Sequence, residues 1–233
     1  MILRSKLYYL DVVDSTHEYL RGLANEAPEG TIVVADRQTQ GHGRAGRSWY
    51  SPEGGLWMSV LLVSSNPGLM QIVGAVAVCE AMNYFNILLG IKWPNDLMLG
   101  GKKIGGIIVE PVGEKVILGI GLNLTIRSFP DELEIEATSL FLETKKRFDK
   151  MMIFDVLCKE LDDLYGMSLY DHSPEILVKW RHYTIMLGRM VRIETETGSI
   201  TGRVIDINSD GALVVVGSEN KIQRITDGHC QFL

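Results

Sequence analysis

The stretch Thr31-Ile32-Val33-Val34-Ala35, followed by Gly41-His42-Gly43-Arg44-Ala45-Gly46-Arg47-Ser48-Trp49 and then Tyr50-Ser51-Pro52-Glu53-Gly54-Gly55, decides which kind of α/β fold this chain adopts. The β-branched run reads as a strand. The glycines after it satisfy Gly-x-Gly-x-x-Gly, the pattern of a dinucleotide-binding turn. Such a turn must open a helix whose N-terminus receives a pyrophosphate, with an acidic residue about 20 positions on. Ser48 to Gly55, with Pro52 and paired glycines, cannot continue as a helix. The doubly wound dinucleotide fold is thereby excluded. A kinase glycine loop is excluded too, because no His-Arg-Asp or Asp-Phe-Gly triplet follows.

The loop still carries chemistry. Counting Arg37 just upstream, Arg37, His42, Arg44 and Arg47 place cationic-capable side chains around Gly41, Gly43 and Gly46 in a chain of net charge −6. Glycine lets backbone N–H groups approach a ligand closely, and guanidinium groups grip phosphate or carboxylate oxygens in pairs. A loop of this composition closes over an anion.

With 233 residues, 46% hydrophobic and 22% charged, the chain can bury one sizeable core and a small further domain. The acidic balance argues against nucleic acid as a partner, because binding of that kind neutralises phosphates with clustered Lys and Arg. Met1-Ile2-Leu3-Arg4-Ser5-Lys6-Leu7 carries charge where a signal peptide needs an apolar core, and no apolar run approaches about 18 residues, so no membrane partner and a cytoplasmic location are expected. Cys79, Cys158 and Cys230 are too scattered for a zinc or disulfide framework and read as buried small hydrophobes.

Outward from the loop, Ser15-Thr16-His17-Glu18 reads as a capping box opening a helix to residue 26. Strand Leu56 to Val63, a long apolar helix from Leu69 to Phe85 and a strand into Lys92-Trp93 follow. Gly100-Gly101 reads as a two-residue hairpin turn into Lys103 to Val109, with Val116 to Ile126 beside it. Helical spacing returns from Asp149 to Leu169, and Ser173 as N-cap with Pro174 starts another helix to Tyr183. Beyond Gly188, short strands at Met190–194, Ser199–207, Ala212–216 and Lys221–225 read as a small β-barrel.

Three further segments carry candidate chemistry. Lys92-Trp93-Pro94-Asn95-Asp96 is turn chemistry with a core tryptophan, or else a strand end that offers Lys92 to an anion. Gly105-Gly106 reads as a bulge or as a place where a ligand approaches the sheet. Gly119-Ile120-Gly121-Leu122-Asn123 leaves one face small, with Asn123 able to offer a donor and an acceptor to a base edge.

Taken in order, Asp14-Ser15-Thr16, Gln38-Thr39, the glycine-arginine loop, Lys92-Trp93-Pro94-Asn95-Asp96, Lys103-Ile104-Gly105-Gly106-Ile107, Gly119 to Asn123 and Ala137-Thr138-Ser139-Leu140 closely resemble the biotin protein ligases over nearly the whole chain. The resemblance implies an α/β catalytic domain, residues 1–186, of mixed sheet with helices on one face, and an SH3-like C-terminal domain, residues 187–233. It implies ATP-dependent, Mg2+-assisted formation of biotinyl-adenylate and transfer of biotin to a lysine of a biotin carboxyl carrier domain. Because a first strand begins within the first dozen residues, a ligase without DNA-binding domain or repressor role is expected, with homodimerisation through exposed sheet edges as an open possibility.

The same resemblance assigns roles. Arg44, Arg47 and Lys92 are the expected catalytic cations at the carboxylate–phosphate junction. Biotin is expected against Ser15, Thr16, His17, Gln38, Gly41, His42, Gly43, Arg44, Lys92, Gly105 and Ile107. The adenylate is expected against Arg44, Arg47, Trp49, Lys92, Asn95, Gly121, Asn123 and Ser139, beneath a covering loop, Arg127 to Glu136, that orders when ligand binds. Asp96 is a candidate base only by its nearness to Lys92 in sequence. His17 and His42 stand where the family usually has asparagine and arginine. If His42 faces the anionic junction, affinity should weaken as it deprotonates near about pH 6.5. Lipoate ligation and a non-catalytic biotin sensor remain the alternatives.

Overall fold

The structure is a computed structural model, and it describes residues 2–131, 133, 136–170 and 172–233. The main sheet holds β1 (Lys6–Val13), β2 (Thr31–Gln38), β3 (Gly55–Val63), β4 (Gly90–Lys92), β5 (Asp96–Leu99), β6 (Lys102–Val112) and β7 (Lys115–Asn123), in the order β1-β2-β3-β7-β6-β5-β4. Only β1 and β2 run parallel, with α1 (Thr16–Leu23) as the crossover between them. The remaining neighbours are antiparallel, which makes the sheet mixed as expected. Gly100 and Gly101 both have positive φ, 60° and 83°, which lets a two-residue turn join β5 to β6.

The long helices cover one face. Asn66 caps α2 (Pro67–Tyr84), its Oδ1 accepting from Leu69 N at 3.0 Å, with proline at the start where no amide proton is missed. α2 is buried nearly all round, between β6 and β7 on one side and α4 (Lys150–Leu169) and α5 (Ser173–Tyr183) on the other. Asp149 caps α4 by accepting from Met151 N at 2.7 Å. For α5 the cap position is His172, without a side-chain capping bond, and Ser173 is already helical, one residue off the sequence expectation. α3 (Leu140–Thr144) is a short turn capped by Ser139. On the opposite face α1 alone packs, through Leu20, Ala24, Val33, Leu61 and Ile117. Among the described residues, the rest of this face is free of α-helix.

The C-terminal strands β8 (Met190–Thr195), β9 (Gly198–Ile207), β10 (Leu213–Val216), β11 (Ile222–Ile225) and β12 (His229–Phe232) form one antiparallel sheet ordered β11-β10-β9-β8-β12. The sequence reading missed β12, which is four residues long. β11 and β12, at the two ends, are not paired with each other, so the small β-barrel expected from sequence is an open five-stranded antiparallel sheet. Its inner face joins the core of the main sheet in one continuous hydrophobic cluster. The three cysteines are free and buried, and no helix among the described residues is long and apolar enough to cross a membrane.

Candidate active site

The helix-free half of the α1 face is a cavity of about 320 Å³. It exists because the sheet residues beneath it carry little or no side chain: Gly106 of β6, and Gly119 and Gly121 of β7, all point into it. The N-terminus of α1 closes one end, and the loop from His42 to Tyr50 closes over the top. Of the expected covering segment, Phe129 and Leu133 line the cavity, as does Ala137 just beyond the segment, while Glu132, Glu134 and Ile135 lie outside the described residues.

One end is a buried hydrogen-bonding network. Ser15 is the N-cap of α1, accepting from Glu18 N at 3.4 Å, so its capping role is real. Gln38 Oε1 accepts from Thr16 N at 2.8 Å and from Thr16 Oγ1 at 3.1 Å, and Gln38 Nε2 donates to Ser51 Oγ at 2.9 Å. Ser59 of β3 adds its hydroxyl to Thr16 Oγ1 at 2.9 Å. Rigid, mixed donors and acceptors of this kind suit a small polar ring such as a cyclic urea.

At the other end Trp49 lies flat on the glycines. A Cβ on Gly121 would sit 2.7 Å from Trp49 Nε1, and one on Gly106 would sit 3.4 Å from the ring. Asn123 is 3% exposed and spends its amide on Thr138 O at 2.9 Å, leaving Oδ1 without a partner. Among the described residues the buried side-chain polar atoms lacking a hydrogen bond are His17 Nδ1 and Nε2, Trp49 Nε1, Asn123 Oδ1 and Gln223 Oε1. All but the last belong to residues lining this cavity. Buried polar groups are rarely left unpaired without reason, so their concentration here marks a ligand site.

The cations gather between the ends. Arg44 and Arg47 flank a short 3-10 turn in which Ala45 takes positive φ. Arg44 forms an ion pair with Asp227 of the C-terminal sheet and lines the cavity beside Arg47. Lys103 is the third cation: it lines the cavity, its Nζ lies 5.2 Å from the Trp49 ring centre, and buried Asp96 holds it in an ion pair. Lys103 belongs to a motif quoted from sequence but received no role there. Lys92 does not reach the site. Its Nζ lies 5.7 Å from the ring centre of Phe232, and Trp93 beside it donates to Gly211 O at 2.9 Å. Lys92 and Trp93 thus seat the C-terminal sheet, and of the Lys92–Asp96 segment only Asn95 lines the cavity. Asp96, thought of as a base, is engaged as the partner of Lys103.

Other expectations shift by one residue or move to structural duty. Gly105 and Ile107 face the core, Gly105 meeting Leu97 and Leu122, while Gly106 and Ile108 take the cavity side. The cause is a bulge: Leu97 pairs with Gly105 but Met98 with Lys103, so Ile104 is extra and the alternation inverts. Gly41 is buried against Gln38 and Trp49 O rather than lining the cavity, and Gly43 does line it. Ser139 caps α3 and donates to Ile126 O at 2.6 Å, outside the site. Arg37 is exposed on β2 and absent from the lining.

The two histidines meet. His17, on the first turn of α1, and His42, on the loop, contact edge to face with ring centres 5.5 Å apart. Burial pushes the His17 imidazole down to about 4, against the opposing pull of Glu110, with His42 adding to the fall, so it is neutral at pH 7. His42 Nε2 lies 3.8 Å from Glu18 and 4.0 Å from Glu110. Glu18 and Glu110 are therefore charged neighbours of His42, which also lines the cavity.

Comparison with known proteins fits this arrangement. Residues 9–126 match the biotin/lipoate A/B protein ligase family, and residues 186–233 match the biotin protein ligase C terminal domain. The bifunctional ligase/repressor BirA of Bacillus spizizenii is 35% identical over 94% of this chain and 71% of its own length. The biotin–[acetyl-CoA-carboxylase] ligase of Paracoccus denitrificans is 30% identical over 88% of this chain and 91% of its own. The biotin protein ligase of Aquifex aeolicus, solved in complex with biotin and ATP, superposes with a TM-score of 0.89 at 33% identity, covering 98% of this chain and 99% of that one.

Proposed function

This chain belongs to the biotin protein ligases of the biotin/lipoate A/B protein ligase family, and from that premise we propose that it activates biotin with ATP and transfers it to a lysine of a biotin carboxyl carrier domain. The observation that carries the reading is the cavity itself, a polar pocket at one end, an aromatic and amide surface at the other, and Arg44, Arg47 and Lys103 between.

A carboxylate is a poor electrophile, so the biotin carboxylate oxygen attacks the α-phosphorus of ATP and expels pyrophosphate. The resulting acyl phosphate is then attacked at its carbonyl by the acceptor amine, which expels AMP and leaves an amide. The first step presses like charges together, and fixed cations in a partly dry site offset that repulsion. Lys103 is pre-positioned by Asp96, and Arg44 by Asp227. Ser15, Thr16, Gln38 and Ser59 would hold the ureido ring, Trp49 would cover the junction, and Asn123 Oδ1 would accept from the adenine amino group. The cavity lining includes no Asp or Glu among the described residues, which suits a Mg2+ ion that arrives on the ATP phosphates rather than one caged by protein.

Biotin-dependent exchange of labelled pyrophosphate into ATP, run beside lipoate and octanoate, tests the reading. Exchange with biotin alone is expected. Exchange with lipoate instead would move the activity to the sister chemistry, and tight biotin binding without exchange would leave a sensor.

A further inference from the structure

We propose that His17, Glu18, His42 and Glu110 form a binding site for a divalent transition cation of the zinc class, and that the cation staples the glycine-arginine loop to α1 and β6. His17 and His42 also line the cavity, but Glu18 and Glu110 do not, so cation binding is read separately from biotin binding.

The geometry is close to coordination already. Glu18, His42 and Glu110 offer ligand atoms that all lie within 4.8 Å of one another. His42 Nε2 is 3.8 Å from Glu18 Oε1 and 4.0 Å from Glu110 Oε1, and His17 Nε2 is 3.3 Å from Glu110 Oε2. A tetrahedral zinc with bonds of about 2.1 Å sets its ligand atoms about 3.4 Å apart. The gap between His17 and Glu110 already has that spacing, and the two gaps at His42 need to close by about half an ångström, within the reach of side-chain adjustment.

A cluster of exposed carboxylates would not justify a site, but His17 is 4% exposed, has no well-aligned hydrogen bond at either ring nitrogen, and holds Nε2 3.3 Å from Glu110 Oε2. A buried neutral imidazole with a free lone pair is unfavourable unless something accepts it, and a cation does. Mixed imidazole and carboxylate ligands select zinc-class ions over magnesium, which prefers oxygen and water. The present competitor is Arg21, whose guanidinium pairs with Glu18 and Glu110. Arg21 is partly exposed and can release into water. The ligands come from three elements, α1, β6 and the loop that carries Arg44, Arg47 and Trp49, so occupancy would fix that loop.

Titration of the metal-free full chain with Co2+, followed by visible absorption, tests the site. Expected are one equivalent bound with the intense bands of four-coordinate cobalt, displacement by Zn2+ but not by Mg2+, and slower tryptic cleavage after Arg44 and Arg47 in the bound form. His42→Gln and Glu110→Gln should weaken binding by at least about a hundredfold, beyond the ten- to hundredfold that outer-shell changes cost. Arg21→Ala should tighten it, and His172→Gln, at a surface pair elsewhere, should leave it unchanged. Should Glu110→Gln fail to fold, His42→Gln carries the test from its place on the loop. Absence of one-to-one binding, full binding in His42→Gln, or loss in His172→Gln would overturn the site; unchanged cleavage would overturn the staple.

Discussion

Replacing Lys103 with glutamine should reduce biotin-dependent pyrophosphate exchange on the order of a thousandfold, whereas Lys92→Gln should leave it near that of the parent. The magnitude follows from where each charge sits. The side chains of Lys103 and Asp96 are 16% and 11% exposed, so the intermediate effective dielectric of a partly buried site applies to them. A unit charge about 4 Å from the reacting oxygens is then worth about 4 kcal/mol, and removal of comparable preorganised donors costs about a hundred- to a thousandfold in rate. Lys92 lies outside the cavity against the Phe232 ring, a contact worth about 0.5–1 kcal/mol of stability and nothing to the reaction.

Stability could masquerade as catalysis in this experiment, because Lys103→Gln strands a buried Asp96, and breaking a buried pair costs about 3–5 kcal/mol. The double variant Lys103→Gln with Asp96→Asn separates the two effects. Its melting temperature should recover while its exchange stays low. The reasoning fails if the double variant regains exchange, or if Lys92→Gln abolishes exchange in a protein that melts normally.

Gly121→Ala should weaken ATP binding roughly tenfold by lifting Trp49, whose Nε1 would stand 2.7 Å from the new Cβ, with overpacking strain of about 1–3 kcal/mol; unchanged ATP affinity would mean that Trp49 does not need the glycine. Asn123→Ala should raise the Kd for ATP by about five- to thirtyfold, the worth of about 1–2 kcal/mol of hydrogen bonding, with biotin affinity by calorimetry unaltered. Acidification should unfold the metal-free protein partly through His17. Its imidazole falls from the ordinary 6.5 to about 4 in the fold, so the unfolded chain takes up the proton first and stability drops as pH falls between those values. The contribution is about 2 kcal/mol by pH 5, read as the loss of urea stability in chelator that His17→Asn should abolish; an identical pH profile in His17→Asn would refute it.

Much of the fold was legible because its signals are local. The capping serine, the apolar α2 and the Gly100-Gly101 turn each announce themselves within a few residues, and all three stand in the structure. Features that depend on long-range placement were not legible. Nothing in the sequence near Lys92 says that Phe232 waits beyond it, and nothing near Ser139 distinguishes a helix cap from an adenylate contact. α1 was read as a helix, yet its placement on the face opposite the other helices, which is what leaves room for a cavity, depends on the parallel β1–β2 pairing.

The bulge in β6 shows why one physical detail misdirected several assignments together. Lys103, Gly105 and Ile107 alternate in sequence and would share a face on a regular strand. Ile104, unpaired against Leu97 and Met98, adds half a pleat, so Lys103 keeps the cavity side while Gly105 and Ile107 turn into the core. The same irregularity places Gly106 under Trp49 and lets Asp96, across the hairpin, reach Lys103 instead of its register partner Lys92. A bulge is disfavoured unless something requires it. Here it delivers a lysine and a bare glycine surface to the same cavity from one strand, an arrangement that strict alternation cannot produce at positions three residues apart.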